Sequence, residues 1–215
     1  MCAVQLTRVY WIGGGSGAGK STVARRIAAS RGWTVYSTDD TMAEHVGRST
    51  LQTAPYLHRF IEMSMDDRWV NRSPETMLNT FPWFRGEGFP LVLQDLRALP
   101  PEPPAVAEGF RLLPGLVRPL LANPANAVWL LPTPEFRQAA FASRDSRSDI
   151  PGRTADADRA RRNLLERDRL FTGRIAEEVR HLGLSAIKVD APTTEEQLLT
   201  QVLEALGLGG ASPSA

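Results

Sequence analysis

The stretch Gly14-Gly15-Ser16-Gly17-Ala18-Gly19-Lys20-Ser21 fits G-x-x-x-x-G-K-[ST] at every fixed position. An apolar, β-prone run, Val9-Tyr10-Trp11-Ile12, precedes it. A helical pattern from Thr22 to Ala29 follows, with Val23, Ile27 and Ala28 on one face. Strand, glycine-rich turn and helix are the context this motif needs. The glycines let backbone N–H groups close around phosphate oxygens, and the helix start adds its positive end. Gly15, Ser16, Gly17, Ala18, Gly19, Lys20, Ser21 and Thr22 are the expected phosphate-binding set. Lys20 brings a mobile charge for the outer phosphates, and Ser21 a hydroxyl for Mg²⁺.

Composition supports the reading of Lys20. Lys+Arg total 25, yet the only lysines are Lys20 and Lys188. A chain that uses Arg almost everywhere keeps Lys in the turn, where a planar guanidinium would not fit. Two rival readings stay open. Gly13-x-Gly15-x-x-Ala18 also fits the dinucleotide fingerprint, with Asp39 and Asp40 about 20 residues on as ribose-binding acids. That reading leaves Gly19-Lys20-Ser21 unexplained. The other is a glycine-rich turn with no ligand.

The bulk numbers fit a single domain over 1–207 with a short tail, 208–215, expected to be disordered. Apolar content of 42% and charged content of 23% are ordinary for a globular chain. A net charge of +1 gives no global field toward nucleic acid or membrane, and neither partner is expected. The lone cysteine, Cys2, excludes an internal disulfide framework. With no signal-peptide pattern and no long apolar run, the expected location is the cytoplasm. A homodimer stays open.

Outward from the turn, Thr34-Val35-Tyr36-Ser37 reads as a second strand, ending at Thr38-Asp39-Asp40. Ligands of a parallel α/β sheet bind beyond the carboxyl ends of its strands, so both acids face the same mouth as the turn. Either could instead cap the helix starting at Thr41. Residues 41–99 form a mostly helical insertion, with Leu57, Phe60, Ile61 and Met65 at helical spacing. Ser73-Pro74-Glu75 starts another helix. Within Phe81 to Phe89, Trp83 and its neighbours suit a ring or apolar body, Arg85 an anion, and Glu87 a hydroxyl or amine. A plain helix–helix corner explains that patch equally well, and the same holds for Arg68, Trp69 and Arg72.

Pro100-Pro101-Glu102-Pro103-Pro104 stops the helix from Leu91 to Leu99. Ala105-Val106-Ala107 is the third strand, ending in Glu108-Gly109. An acid there suits a Mg²⁺–water ligand, a water-positioning group or a substrate contact; a cap is the bland alternative. A helix over 114–122 comes next, then Ala127 to Leu131 as the fourth strand. Thr133-Pro134 opens another helix. Residues 143–156 form a polar, mobile lid carrying Arg144, Arg147 and Arg153. From Arg137 to Arg180 there are eleven arginines and eight acids. Most sit on a long helix from Ala155 to Leu182 and read as a solvated, paired face. Leu184 to Asp190 is the fifth strand, and Thr194-x-x-Gln197 a capping box for the last helix.

These runs describe an α/β fold with a five-stranded parallel sheet. The chain resembles the small P-loop kinases of the nucleoside and nucleotide kinase superfamily. The residues that carry the resemblance are Gly14 to Thr22, Ser37 to Asp40, Ala107-Glu108-Gly109 and the arginine-bearing lid after strand four. It covers 8–40 and 105–190. Within that group it is most similar to kinases of small hydroxyl compounds, such as the 2-phosphoglycerate, chloramphenicol, shikimate and gluconate phosphotransferases. Glu108 to Gly115 is similar to the first of these. The resemblance implies ATP and Mg²⁺ as cofactors and a small-molecule hydroxyl as acceptor. It implies Asp39 as base, Asp40 and Glu108 orienting substrate or a metal-bound water, and Arg144, Arg147 or Arg153 closing over the terminal phosphate. A nucleoside or nucleotide kinase, with a base stacked on Trp83 or Phe84, is one alternative. A regulatory ATPase with no small acceptor is another.

Overall fold

The computed structural model describes residues 6–142 and 150–209. Five strands form one sheet: β1 (Val9–Gly14), β2 (Thr34–Ser37), β3 (Ala105–Glu108), β4 (Ala127–Pro132) and β5 (Ser185–Val189). All pairings are parallel and the order is β2-β3-β1-β4-β5. A parallel sheet is covered on both faces, so its strands read as continuous apolar runs. In β1 the pleat sends Trp11 to one core and Ile12 to the other, and both are fully buried. In β4, Trp129 joins Trp11 while Val128 and Leu130 join Ile12.

Helices α1 (Lys20–Arg31) and α10 (Glu195–Ala205) cover the Ile12 face through Val23, Ile27, Leu198 and Val202. The opposite face packs on α9 (Ala157–His181) through Leu164, Phe171, Ile175 and Val179. Local chemistry sets the helix ends. Gly32 closes α1 with a left-handed φ of 66°. Thr194 and Gln197 form the expected reciprocal capping box on α10. Thr133 caps α8 (Pro134–Ala142), accepting from the Phe136 N–H at 3.2 Å.

Between β2 and β3 the chain forms α2 (Met42–Arg48), α3 (Pro55–Glu62), α4 (Met65–Trp69), α5 (Pro74–Thr80), a 3₁₀ turn (Pro82–Arg85) and α6 (Phe89–Ala98). The helical spacing from Leu57 to Met65 spans two helices, because Ser64 caps α4 by accepting from Asp67 N–H. Ser73 caps α5 with Pro74 in its first turn, as expected. The helix expected over 114–122 is shorter: α7 covers Pro114–Val117 and gives way to a 3₁₀ turn, Arg118–Leu120. Pro119 has no N–H to continue the α ladder.

No helix of the described residues is long and apolar enough to cross a membrane. Arg144 and Arg147 lie outside the described residues, as do 210–215 of the tail.

Candidate active site

β1 ends at Gly14, and the chain turns through Gly15 to Gly19 into α1. Gly14 has φ 116°. A Cβ there would run into the Leu130 carbonyl of β4, so only glycine lets the turn pass this close to the strand. The Gly15 N–H donates to Leu130 O at 2.9 Å and fixes the approach. Gly19 stands at the N-cap of α1, and no side chain caps it among the described residues. The first-turn N–H groups of α1 are thereby left for an anion. Lys20 is buried, and its Nζ donates to Gly15 O at 2.7 Å, folding the ammonium back over the turn.

The ends of β2 and β3 meet beside it. Register pairs Ser37 and Ile12 each with Glu108. Glu108 is 1% exposed, and neither carboxylate oxygen has a hydrogen-bond partner among the described residues. Burial pushes its pKa up, against the pull of the Ser37 hydroxyl, the Lys20 ammonium and the Ser21 hydroxyl, while Asp39 pushes the same way as burial. This is not a helix cap. The next residue, Gly109, has φ 139°, and a Cβ there would collide with Thr38 Oγ1. The β3 exit is therefore packed directly on the loop that carries Asp39. Thr41, not an aspartate, occupies the N-cap position of α2.

A cavity of about 760 Å³ opens in front of the turn. Ser16 to Thr22 and Asp39 form one side of it. Phe60, Trp69, Phe81, Trp83, Phe84 and Phe171 form much of the rest. Phe84 and Phe171 stack with centroids 3.7 Å apart. The Arg111 guanidinium lies 4.2 Å above the Trp83 ring. A smaller cleft, about 200 Å³, lies between Gly17, Gly19, Phe136, Thr193 and Leu198.

No protein-family model matches the chain, and no curated protein matches it.

Several expected site residues stand elsewhere. Asp40 is exposed and outside the cavity wall. Arg85 is exposed, donates to Asn79 O at 2.9 Å and lies over the Tyr56 ring. Glu87 receives the Tyr56 and Leu57 N–H groups at 2.9 and 2.8 Å, so it caps α3 rather than meeting a ligand. Arg153 is exposed in a 3₁₀ turn, Pro151–Arg153, and is not on the cavity wall, which Ile150 just before it lines.

Among the described residues, two arginines approach the site from α8 and α9, Arg137 beside Gly17 and Arg167 on the cavity wall, both buried and both clamped on Asp168. Arg137 Cδ lies 3.4 Å from where a Cβ on Gly17 would sit. Arg167 is thus an exception to the solvated, paired face expected for most arginines of the long helix. The pattern held a signal: Asp168 falls four residues after Leu164 and three before Phe171, on the apolar side of α9. A second buried group, Arg111–His45–Asp95, ties the β3 exit to α2 and α6. Arg111 donates to Thr38 O at 3.0 Å and to His45 Nδ1 at 2.8 Å. With Nδ1 accepting, His45 Nε2–H donates to Asp95 at 2.6 Å.

The donor set fits a nucleoside triphosphate with Mg²⁺. The first turn of α1 has no side-chain cap among the described residues, and Glu108 lies buried close to Ser21. Ser21, and Glu108 through water, would be the groups to hold such a cation. Among the described residues no cluster of three or more His, Cys, Asp or Glu forms a metal site of its own.

Proposed function

We propose that the protein transfers the terminal phosphoryl group of ATP to a hydroxyl of a small molecule. One observation carries the reading: a single cavity is bounded by the glycine-rich turn, Lys20, Ser21 and Asp39, with the unpartnered Glu108 carboxylate buried behind them.

The turn N–H groups and the start of α1 bind the triphosphate, and Lys20 exchanges its contact with Gly15 O for the outer phosphates. Mg²⁺ supplies charge neutralisation on the phosphate oxygens when bound. Asp39 accepts the acceptor's hydroxyl proton as the new O–P bond forms and the bond to the leaving diphosphate oxygen breaks. Arg137, beside Gly17, stabilises charge on the transferring group, a role the sequence alone placed on the lid. The aromatic walls exclude water and limit wasteful hydrolysis.

The test is ADP formation across a panel of hydroxyl compounds. Wild type should yield a phosphorylated product. Lys20→Ala should lose about 100-fold or more in rate; normal transfer by that variant would remove the mechanism. Full-rate transfer by Asp39→Asn would remove Asp39 as base.

The aromatic walls favour one second reading, a nucleoside or nucleotide acceptor. Arg111 covers one face of Trp83, and Phe171 one face of Phe84. A stacked base would have to use their other faces. Tryptophan fluorescence titration with nucleosides separates the two readings.

A further inference from the structure

Two guanidiniums share one buried acid at the cavity wall, Arg137 on the side of Gly17 and Arg167 on the side of the aromatic rings. Asp168 is 2% exposed. Arg137 Nε and Nη2 donate to its Oδ2 at 2.9 and 2.6 Å. Arg167 Nε and Nη2 donate to its Oδ1 at 3.1 and 2.7 Å. One carboxylate, with both oxygens engaged, therefore serves two guanidiniums, and among the described residues this leaves one positive charge in excess. Such a charge is costly unless something pairs with it.

Arg167 cannot escape to solvent. Its guanidinium carbon lies 5.2 Å from the Trp69 ring centre, 5.0 Å from Phe81 and 5.2 Å from Phe84. Both Arg167 and Trp69 line the cavity. Arg167 Nη1 and Trp69 Nε1 are buried donors with no partner among the described residues. Arg68 and Arg72 lie 4.9 and 6.0 Å from the Phe60 ring centre, with Asp67 facing Arg72. This part of the cavity wall thus offers donors and positive charge, while the acid beside it is saturated. Ring faces and the glycine-rich turn line the same space of about 760 Å³.

Resting on the phosphotransferase reading above, we propose that the acceptor is an organic anion with a ring-sized apolar body, its carboxylate or phosphate received by Arg167 Nη1 and Trp69 Nε1. The ring fills the aromatic cavity, and a hydroxyl is left to face Asp39. A neutral alcohol would leave both donors unmet, and a cation would meet Arg167.

Tryptophan fluorescence of the full chain, titrated without ATP, tests this. The ligands are 4-(hydroxymethyl)benzoate, its methyl ester, and 4-(hydroxymethyl)phenyl phosphate. One or both anions should bind at least about tenfold more tightly than the ester, the range of a charge-assisted hydrogen bond. The tighter of the two names the anionic group. Arg167→Gln and Trp69→Phe should each shrink the anion-to-ester ratio several-fold; Trp69→Phe keeps the ring and guards against a misfolded Arg167→Gln. Equal binding of ester and anions, binding of none of them, or a ratio unchanged in both variants overturns the proposal. Thermal melts with Mg-ATP run beside it. An ATP-induced rise in Tm without anion preference sinks this inference alone. Anion preference without that rise supports the anion site but removes the phosphotransferase reading.

Discussion

Glu108 is a single carboxylate held at a cost. A buried, unsatisfied polar group costs about 1–3 kcal/mol, more when charged. The orphaned oxygens lie at a strand end beside Ser21 and Lys20, where a metal-bound water would meet them. Glu108→Gln should raise Tm near neutral pH by about 2–4 °C per kcal/mol relieved, while cutting phosphoryl transfer at least about tenfold. The folded pKa is raised, so the wild type loses stability as pH rises from the ordinary value of 4.5 through the folded value. The Tm gap between variant and wild type should therefore be small at pH 4 and open toward pH 7.5. An equal gap at both pH values would disprove the buried-charge explanation. Glu108 was legible as a candidate because an acid ends an apolar strand run. Its burial was not, since that depends on β1 and β2 flanking β3 across the sheet.

At the scale of elements, Arg111 joins the β3 exit to the helical insertion. It is 2% exposed, burial brings its pKa down to about 10, and it bonds Thr38 O and His45 while lying on Trp83. Lys cannot make the fork and the stack together. Arg111→Lys should cost about 3 kcal/mol, read in urea melts, and speed hydrogen exchange across α2. Gly109→Ala, which drives a Cβ into Thr38, should shift the Asp39 loop and lower transfer more than it lowers ATP binding, seen as a fall in rate with ATP affinity kept. Unchanged transfer would mean the loop does not position Asp39. The helix starts at Ser73, Thr133 and Thr194 could be read from sequence because caps are local chemistry. Sequence left Glu87 open between a ligand contact and a helix corner because its partners, the Tyr56 and Leu57 N–H groups, lie about thirty residues back in the chain.

For the molecule as a whole, two buried titrating groups pull stability in opposite directions with pH. His45 is fully buried; burial lowers its pKa, with Arg111 and Arg48 adding to that and Asp95 opposing. A depressed histidine contributes stability that is complete above its ordinary 6.5 and is lost as pH falls from there toward the folded value. Urea denaturation between pH 7.5 and 5 should show that loss, and His45→Gln should flatten it. An identical slope in the variant would place the acid sensitivity elsewhere. Glu108 acts in the reverse sense, so between 4.5 and 6.5 the two slopes oppose each other and partly cancel.

The sequence by itself determined the order of strands and helices, the parallel sheet, the glycine-rich turn and most helix starts. Each of these rests on contacts within a few residues or on the period of apolar side chains. Only the tertiary structure decided which charges are buried. Arg137, Arg167 and Arg111 look like any surface arginine along the chain. They become interior groups because Asp168, His45 and the aromatic rings come to them from distant segments. Burial of a charge is settled by what packs around it, and a one-dimensional pattern carries little of that.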